Sequence, residues 1–300
     1  MGRASGLFAC ALLLAGCDSE LVTLGRLPGE GPSGPPVAEP GYRFAEPVIL
    51  TALESAGKDD NPTLTADLLE VYFLSTREGD ADVYVARRSS ADEPFGTPVR
   101  VEAVSSDADD ASPAISLDGE TLWVGQSAPD NDDDTDIWFA TRLTDDSWSA
   151  LENATTLNSS AKDIPRQPAG TAALTIMPLG SQRNGNEYQT FFASSEGGAE
   201  FGTPTPLPEL EIGARVVDGF LTQDLLTLFY SSGDGEDEGD LFVVSRAGLD
   251  APFGTPVALD GINSPSDERD PWLSPDGRRL FFTSNRGDSH DIYEAAVLRE

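Results

Sequence analysis

The chain has 300 residues, with 52 acidic against 19 basic side chains and a formal net charge of −33. A phosphate polymer is repelled by that excess, which excludes nucleic-acid binding. With two cysteines and one histidine, no usual Cys/His zinc site can be assembled, and no G-x-x-x-x-G-K-[ST] or strand-coupled G-x-G-x-x-G sequence offers a cradle for nucleotide phosphates.

Residues 1–16 read as a signal peptide. Arg3 is the only charged side chain, and Leu7–Leu14 is an apolar stretch too short to span a bilayer. Leu14-Ala15-Gly16-Cys17 resembles the lipobox of bacterial lipoproteins. That resemblance implies cleavage before Cys17 and diacylation of its sulfur, two acyl chains being enough for a stable anchor. Cys10 lies in the removed segment, so the mature chain is expected to hold no disulfide. Residues 17–43 read as a tether. Pro28, Pro32, Pro35, Pro36 and Pro40 alternate with Gly29, Gly31, Gly34 and Gly41. Such a segment spans about 25–30 Å as a coil and more as polyproline helix.

From Phe44 to Glu300 the chain repeats. Turn aspartates Asp67, Asp118, Asp224 and Asp276 are each followed four residues on by Val71, Leu122, Leu228 or Leu280, and then by an aromatic residue. A second run follows a loop: Asp82-Val83-Tyr84, Asp136-Ile137-Trp138, Asp240-Leu241-Phe242 and Asp291-Ile292-Tyr293. A third marker closes each unit, as in Phe95-Gly96-Thr97-Pro98 and Phe253-Gly254-Thr255-Pro256. Aligning Pro62, Pro113, Pro168, Gly219 and Pro271 gives a period of 51 to 55 residues, with the unit at Pro168–Leu207 the least regular. Four short strands repeated at that spacing predict propeller blades. No long period-3.6 segment supports an α/β fold.

The last unit ends before its closing marker, and Phe44-Ala45-Glu46-Pro47-Val48-Ile49-Leu50 matches the missing piece. The fold class expected is therefore all-β: a five-bladed propeller of four-stranded antiparallel blades over 44–300. The N-terminal strand completes the last blade, because an open ring leaves unpaired edges.

Ser274-Pro275-Asp276-Gly277-Arg278-Arg279-Leu280-Phe281-Phe282-Thr283-Ser284-Asn285-Arg286, with Asp291-Ile292-Tyr293, resembles the TolB-like, WD-repeat-like propeller repeat. Ser75-Thr76-Arg77-Glu78-Gly79 with Asp82-Val83-Tyr84 matches the same hairpin. The resemblance implies a periplasmic or secreted binding scaffold. TolB-type propellers usually have six blades and an extra N-terminal α/β domain, neither of which is visible, so a role in the Tol–Pal system is not carried over.

His290, the only histidine, falls in a hairpin loop and is expected to be solvated. Trp123, Trp138, Phe281 and Tyr293 are expected to pack between blades rather than bind sugars. The turn aspartates read as structural, since an Asp side chain stabilises its own tight turn. Ahead of the inner strands stand Asp60, Asp110, Arg166, Asp218 and Asp270, with Trp272 lining or filling the central channel; Asp60, Asp110, Asp218, Asp270 and Trp272 are the candidate binding face.

The loops between second and third strands share a face with the inter-blade connections. That face is expected to carry much of the acid, including Asp59, Asp82, Asp110, Asp163, Asp267, Glu268, Asp270 and Asp291. Asp130, Asp132, Asp134 and Asp136 form its densest run, which lacks the glycine and terminal glutamate of an EF-hand; weak calcium binding is the expectation there, with no other cofactor. A merely solvated acidic surface is the simpler reading of the run.

The favoured function is a lipid-anchored, non-catalytic binding or scaffold module of the bacterial cell envelope. Its partner would be a protein or a cell-wall or surface polymer, with the membrane touched through the anchor alone. The runner-up is a glycan-active enzyme with carboxylates at the channel mouth, a chemistry that five-bladed propellers also house.

Overall fold

Two short strands come first among the described residues, β1 (Arg43–Phe44) and β2 (Val48–Ile49), and they belong to the last blade. The computed structural model describes residues 41–300 except 107–108, 129–130, 186, 197–199, 208–216, 234–238, 288 and 299–300, and leaves the side chains of 128 and 131–134 undescribed. The expected signal peptide, Cys17 and nearly all of the expected tether lie outside the described residues, as do the side chains of Asp130, Asp132 and Asp134.

The first blade is β3 (Asp59–Leu64), β4 (Glu70–Ser75), β5 (Asp82–Arg87) and β6 (Val99–Arg100). The second is β7 (Asp110–Ile115), β8 (Thr121–Ala128), β9 (Asn131–Thr141) and β10 (Glu152–Asn153). The third has a split inner strand, β11 (Asp163–Pro165) and β12 (Ala169–Thr171), then β13 (Leu174–Ser181), β14 (Gln189–Ser195) and β15 (Thr205–Pro206). The fourth is β16 (Val217–Leu221), β17 (Thr227–Ser232), β18 (Asp240–Ser245) and β19 (Val257–Ala258). The fifth is β20 (Glu268–Leu273), β21 (Arg279–Ser284) and β22 (Asp291–Leu298). Every pairing is antiparallel and links neighbours in sequence, except that β11 pairs with β13 beyond the split and that β1 and β2 pair with β22 at the far end of the chain. The architecture is a five-bladed β-propeller, as expected, and among the described residues no helix is long and apolar enough to cross a membrane.

The middle strands are apolar without interruption because both their faces are covered. Val71 and Phe73 of β4 pack in a cluster with Leu280 and Phe282 of the fifth blade, whereas Tyr72 between them packs with Leu122 and Val124 of the second. The turn aspartates act as expected: Asp67 Oδ1 accepts from Thr65 Oγ1 (2.7 Å) and the Leu69 amide (3.0 Å), and Asp276 repeats the arrangement with Ser274 and Arg278. Glycine follows two of these aspartates where the backbone turns left-handed, at Gly119 (φ 78°) and Gly277 (φ 64°).

Ring closure is as expected, with the N-terminal strands completing the last blade. Phe44 faces Val297, and Ile49 faces Tyr293. The Ala45 and Leu50 amides donate to Ala296 and Ile292 carbonyls at 2.8 and 2.9 Å.

Two expectations need correction. The first concerns the third blade. Asp163 pairs with Ser181 as Asp59 pairs with Ser75 and Glu268 with Ser284. Counting from these acids, Arg166 and not Pro168 occupies the place of Pro62, Pro113 and Pro271. A proline two residues late in the least regular unit displaced the alignment.

The second concerns the acidic face. Asp59, Asp82, Asp110, Asp163, Asp267, Glu268, Asp270 and Asp291 are all buried. Three of them anchor inner strands to guanidinium groups. Arg77 donates to Asp59, Ser75 Oγ and the Leu53 carbonyl; Arg183 to Asp163, Ser181 Oγ and the Leu157 carbonyl; Arg286 to Glu268, Ser284 Oγ and the Ile262 carbonyl. Each guanidinium also lies over an aromatic ring of its blade, 5.2 Å from Phe73, 4.9 Å from Phe191 and 5.3 Å from Phe282. The three acids are structural braces, and none of the eight buried acids belongs to the exposed face.

Candidate functional site: the end of the central channel

Each inner strand but the third carries a bulge near its start. The registers shift between Asp60 and Thr63, Ala111 and Ala114, Val217 and Phe220, and Arg269 and Trp272. Within them Asn61, Ser112, Asp218 and Asp270 take left-handed φ values of 53°, 44°, 59° and 53°. Such backbone is strained for residues other than glycine and is tolerated best by Asn and Asp. The bulges bring residues from all five blades to one cavity, lined among others by Asn61, Pro113, Arg166, Gln167, Asp218, Asp270 and Trp272.

Arg166 reaches into this cavity from the break between β11 and β12. It pairs closely with Asp218, donates to Ser112 Oγ at 3.3 Å, and brings Nη1 within 3.3 Å of Asp270 Oδ1. Asp218 also accepts from Ser231 Oγ (2.6 Å), and Ser112 donates to Asn61 Oδ1 (2.7 Å). Below this layer Trp272 is 2% exposed and donates through Nε1 to Gln167 Oε1 (2.8 Å). Gln167 Nε2 in turn donates to the Leu64 and Ile115 carbonyls. Trp272 therefore fills the channel, packed against Phe220 and Phe281, rather than standing free at its wall. The space left among these groups is about 30 Å³.

Asp270 stands out. It is 5% exposed, and neither carboxylate oxygen accepts a hydrogen bond. Burial, reinforced by Asp218 and Asp60 against the pull of Arg166 and Arg269, pushes its pKa up to about 7. Burial also raises Asp60, against Arg269, His290 and Lys58, with Asp218 adding to the rise. Asp60 Oδ1 is buried without a partner but does not line the cavity.

The structure thus gathers Asp218, Asp270 and Trp272 at one place, with Asp60 in electrostatic range. Asp110 stands apart: it accepts from the Ser106 amide and hydroxyl and from Gln126 Nε2, and burial lifts it to about 6. His290, expected in solvent, is 6% exposed; its Nε2 lies 3.0 Å from Asp267 Oδ2 and 3.1 Å from Arg269 Nη2. The hairpin folds it onto these two side chains of the adjacent strand region, a contact that loop length alone does not reveal. Asp136, the one member of the acidic run with a described side chain, accepts from Asn153 Nδ2 at 3.1 Å. Among the described residues no group of three or more His, Cys, Asp or Glu side chains is arranged to hold a metal ion. Sequence reading did not single out Asn61, Ser112 or Gln167; their signal was only their place within or just past the repeated inner-strand start.

Fold and site together define a five-bladed β-propeller with a narrow, polar channel end. No protein-family model matches the chain, and no curated protein sequence matches it either. Solved structures do. TolB from Acinetobacter baumannii is 16% identical with a TM-score of 0.53; the likeness covers 83% of this chain and 56% of that one, so the chain spans little more than half of that protein's length. The endo-arabinase from Bacteroides thetaiotaomicron is 12% identical with a TM-score of 0.60, over 85% of this chain and 98% of that one. The catalytic domain of the Coprinopsis cinerea GH62 alpha-L-arabinofuranosidase is 8% identical with a TM-score of 0.55, over 85% and 97%. At these identities the likeness is one of fold, shared by TolB and by glycoside hydrolases alike.

Proposed function

We infer that the propeller is a non-catalytic binding or scaffold module. It is held at the bacterial cell envelope through lipid on Cys17, and its partner is a protein or a wall or surface polymer docking over the channel end. The observation that supports this is the plugged channel. Arg166 neutralises Asp218, Trp272 and Gln167 plug the ring beneath, and about 30 Å³ is left. Pockets that enclose small-molecule substrates are roughly 300–1,000 Å³, so this space does not enclose a sugar ring. Crosslinking in intact envelopes tests the reading. A thiol crosslinker at Lys58→Cys, on the face of the channel end, is expected to capture a partner saturably, and one at Leu143→Cys, in a loop of the opposite face, is not. Equal capture from both positions would refute docking at this end.

A second reading rests on Asp270 itself. A carboxylic acid held near pKa 7 beside Asp218 has the character of a general acid, as a glycan-active enzyme needs. On that reading the purified chain releases reducing sugar from an envelope or plant polysaccharide, and Asp270→Asn abolishes the release. Hydrolysis lost in Asp270→Asn would displace the binding reading; its absence across a broad polysaccharide panel would remove the enzymatic one.

A further inference from the structure

A buried carboxylate without hydrogen-bonded partners is costly, and proteins do not usually leave one beside empty space. Asp270 is such a group: its side chain is 3% exposed and neither oxygen accepts a hydrogen bond. The nearest cation, Arg166, sits 3.3 Å from Oδ1 without hydrogen-bond geometry and is committed to Asp218 and Ser112. Arg166 and Arg269 act on Asp270 and Lys58 acts on Asp60, but Arg166 is committed to Asp218 and Arg269 to Asp267, so neither guanidinium is given over to Asp270.

The occupant that fits is small, cationic and rich in donors. About 30 Å³ admits a group on the scale of one or two water molecules. A guanidinium is planar, with five donors in a fixed fork, and is too broad. A hard divalent ion seeks about six or more oxygens, and the described acids are not arranged to supply them. An ammonium is a compact charge with three donors, suited to two adjacent free carboxylate oxygens. Its carbon stem would pass among Pro62, Pro113 and Pro271, which line the cavity.

We propose that the channel end seats one primary ammonium, the lysine side chain of a docking polypeptide, on Asp270. This rests on the binding reading and names the chemistry of its partner. Ionisation of Asp270 is required, so occupancy rises with pH through neutrality; the charged groups acting on this carboxyl are Asp60, Asp218, Arg166 and Arg269, and His290 and Lys58 act on Asp60.

The test uses the detergent-solubilised full chain and the Trp272 indole N–H as reporter, its NMR signal assigned with Trp272→Phe. Butylammonium chloride is expected to shift this signal saturably, and tetramethylammonium chloride of equal ionic strength, which has no donors, is not. Asp270→Asn should weaken the response roughly tenfold or more, the loss of a charge-assisted hydrogen bond; Asp110→Asn should leave it unchanged. Equal responses to the two ions, or a response that survives Asp270→Asn, would overturn the proposal. So would a saturable shift with calcium chloride and none with butylammonium, which would make the cavity a metal site. Partner capture at position 58 that persists in Asp270→Asn at undiminished affinity would leave the binding module standing and remove its ammonium seat.

Discussion

Asp110→Asn is expected to stabilise the protein at neutral pH, although it removes a buried, hydrogen-bonded side chain. Asp110 is 2% exposed and has no guanidinium partner among the described residues, unlike Asp59, Asp163 and Glu268 in their blades. Its partners are the Ser106 amide at 3.0 Å, the Ser106 hydroxyl at 3.2 Å and Gln126 Nε2 at 3.3 Å, and Asp82 adds repulsion. Burial lifts the carboxyl from 3.8 to about 6. Because the folded pKa lies above the unfolded one, the folded chain keeps its proton longer. The group is neutral in both states below about pH 4, its ionisation costs stability as pH rises towards 6, and the loss is complete above that, at about 3 kcal/mol. Asparagine keeps an acceptor for Ser106 and never ionises. Urea denaturation should therefore find the variant more stable by roughly 1–3 kcal/mol at about pH 8, with the advantage shrinking towards zero at about pH 4.5. A variant less stable than the parent at pH 8, or a difference that does not vary with pH, would show that the Ser106 and Gln126 bonds outweigh desolvation.

Other perturbations probe other parts of the molecule. Deleting residues 43–50 removes β1 and β2 with the packing of Phe44, Ile49 and Leu50, and should cost about 5 kcal/mol; a truncated chain that melts with the parent and stays monomeric would contradict the closure. Arg183→Ala leaves Asp163, 0% exposed, without its counter-charge and should cost about 3–5 kcal/mol by urea denaturation, whereas a loss below 1 kcal/mol would make the brace dispensable. Cys17→Ser should move the chain from the detergent to the aqueous phase in a phase-separation assay, and retention in detergent would rule out the lipid anchor. Millimolar calcium should raise the melting temperature more than sodium of equal ionic strength, an excess that Asp132, Asp134 and Asp136 changed together to Asn should remove; identical melting curves would leave the acidic run as solvated surface.

The blade count was legible because the markers that carry it are local. A turn aspartate, an apolar-aromatic pair and an Asp-x-aromatic run each act within a few residues, and they recur in every unit but the third. Closure by Phe44–Leu50 was legible for the same reason, since the borrowed strand repeats the closing marker. The buried acids were not. Ser106, Ser159 and Ser264 stand four residues before Asp110, Asp163 and Glu268 and donate to them through amide and hydroxyl. That spacing is visible in the chain, but in a protein with 52 acids nothing local marks which carboxylates turn inward. Arg166 shows the same limit: its partners Asp218 and Asp270 are 52 and 104 residues away, and only the closed ring makes them neighbours. His290 was misplaced because its partners Asp267 and Arg269 come from another strand of the same blade.

The pairing of β1 and β2 with β22 also sets an order of events. The strand made first on the ribosome must wait, edge exposed, for the strand made last, whereas each complete blade can zip its own hairpins as it emerges. Folding should therefore end in a single slow docking step, in which the N-terminal strand finds the fifth blade and the inter-blade core is sealed. A chain arrested before β22 carries an unpaired strand at its beginning and an open blade face at its end, two complementary surfaces that a second arrested chain can satisfy. Strand exchange between such chains is the failure to which this molecule is most exposed.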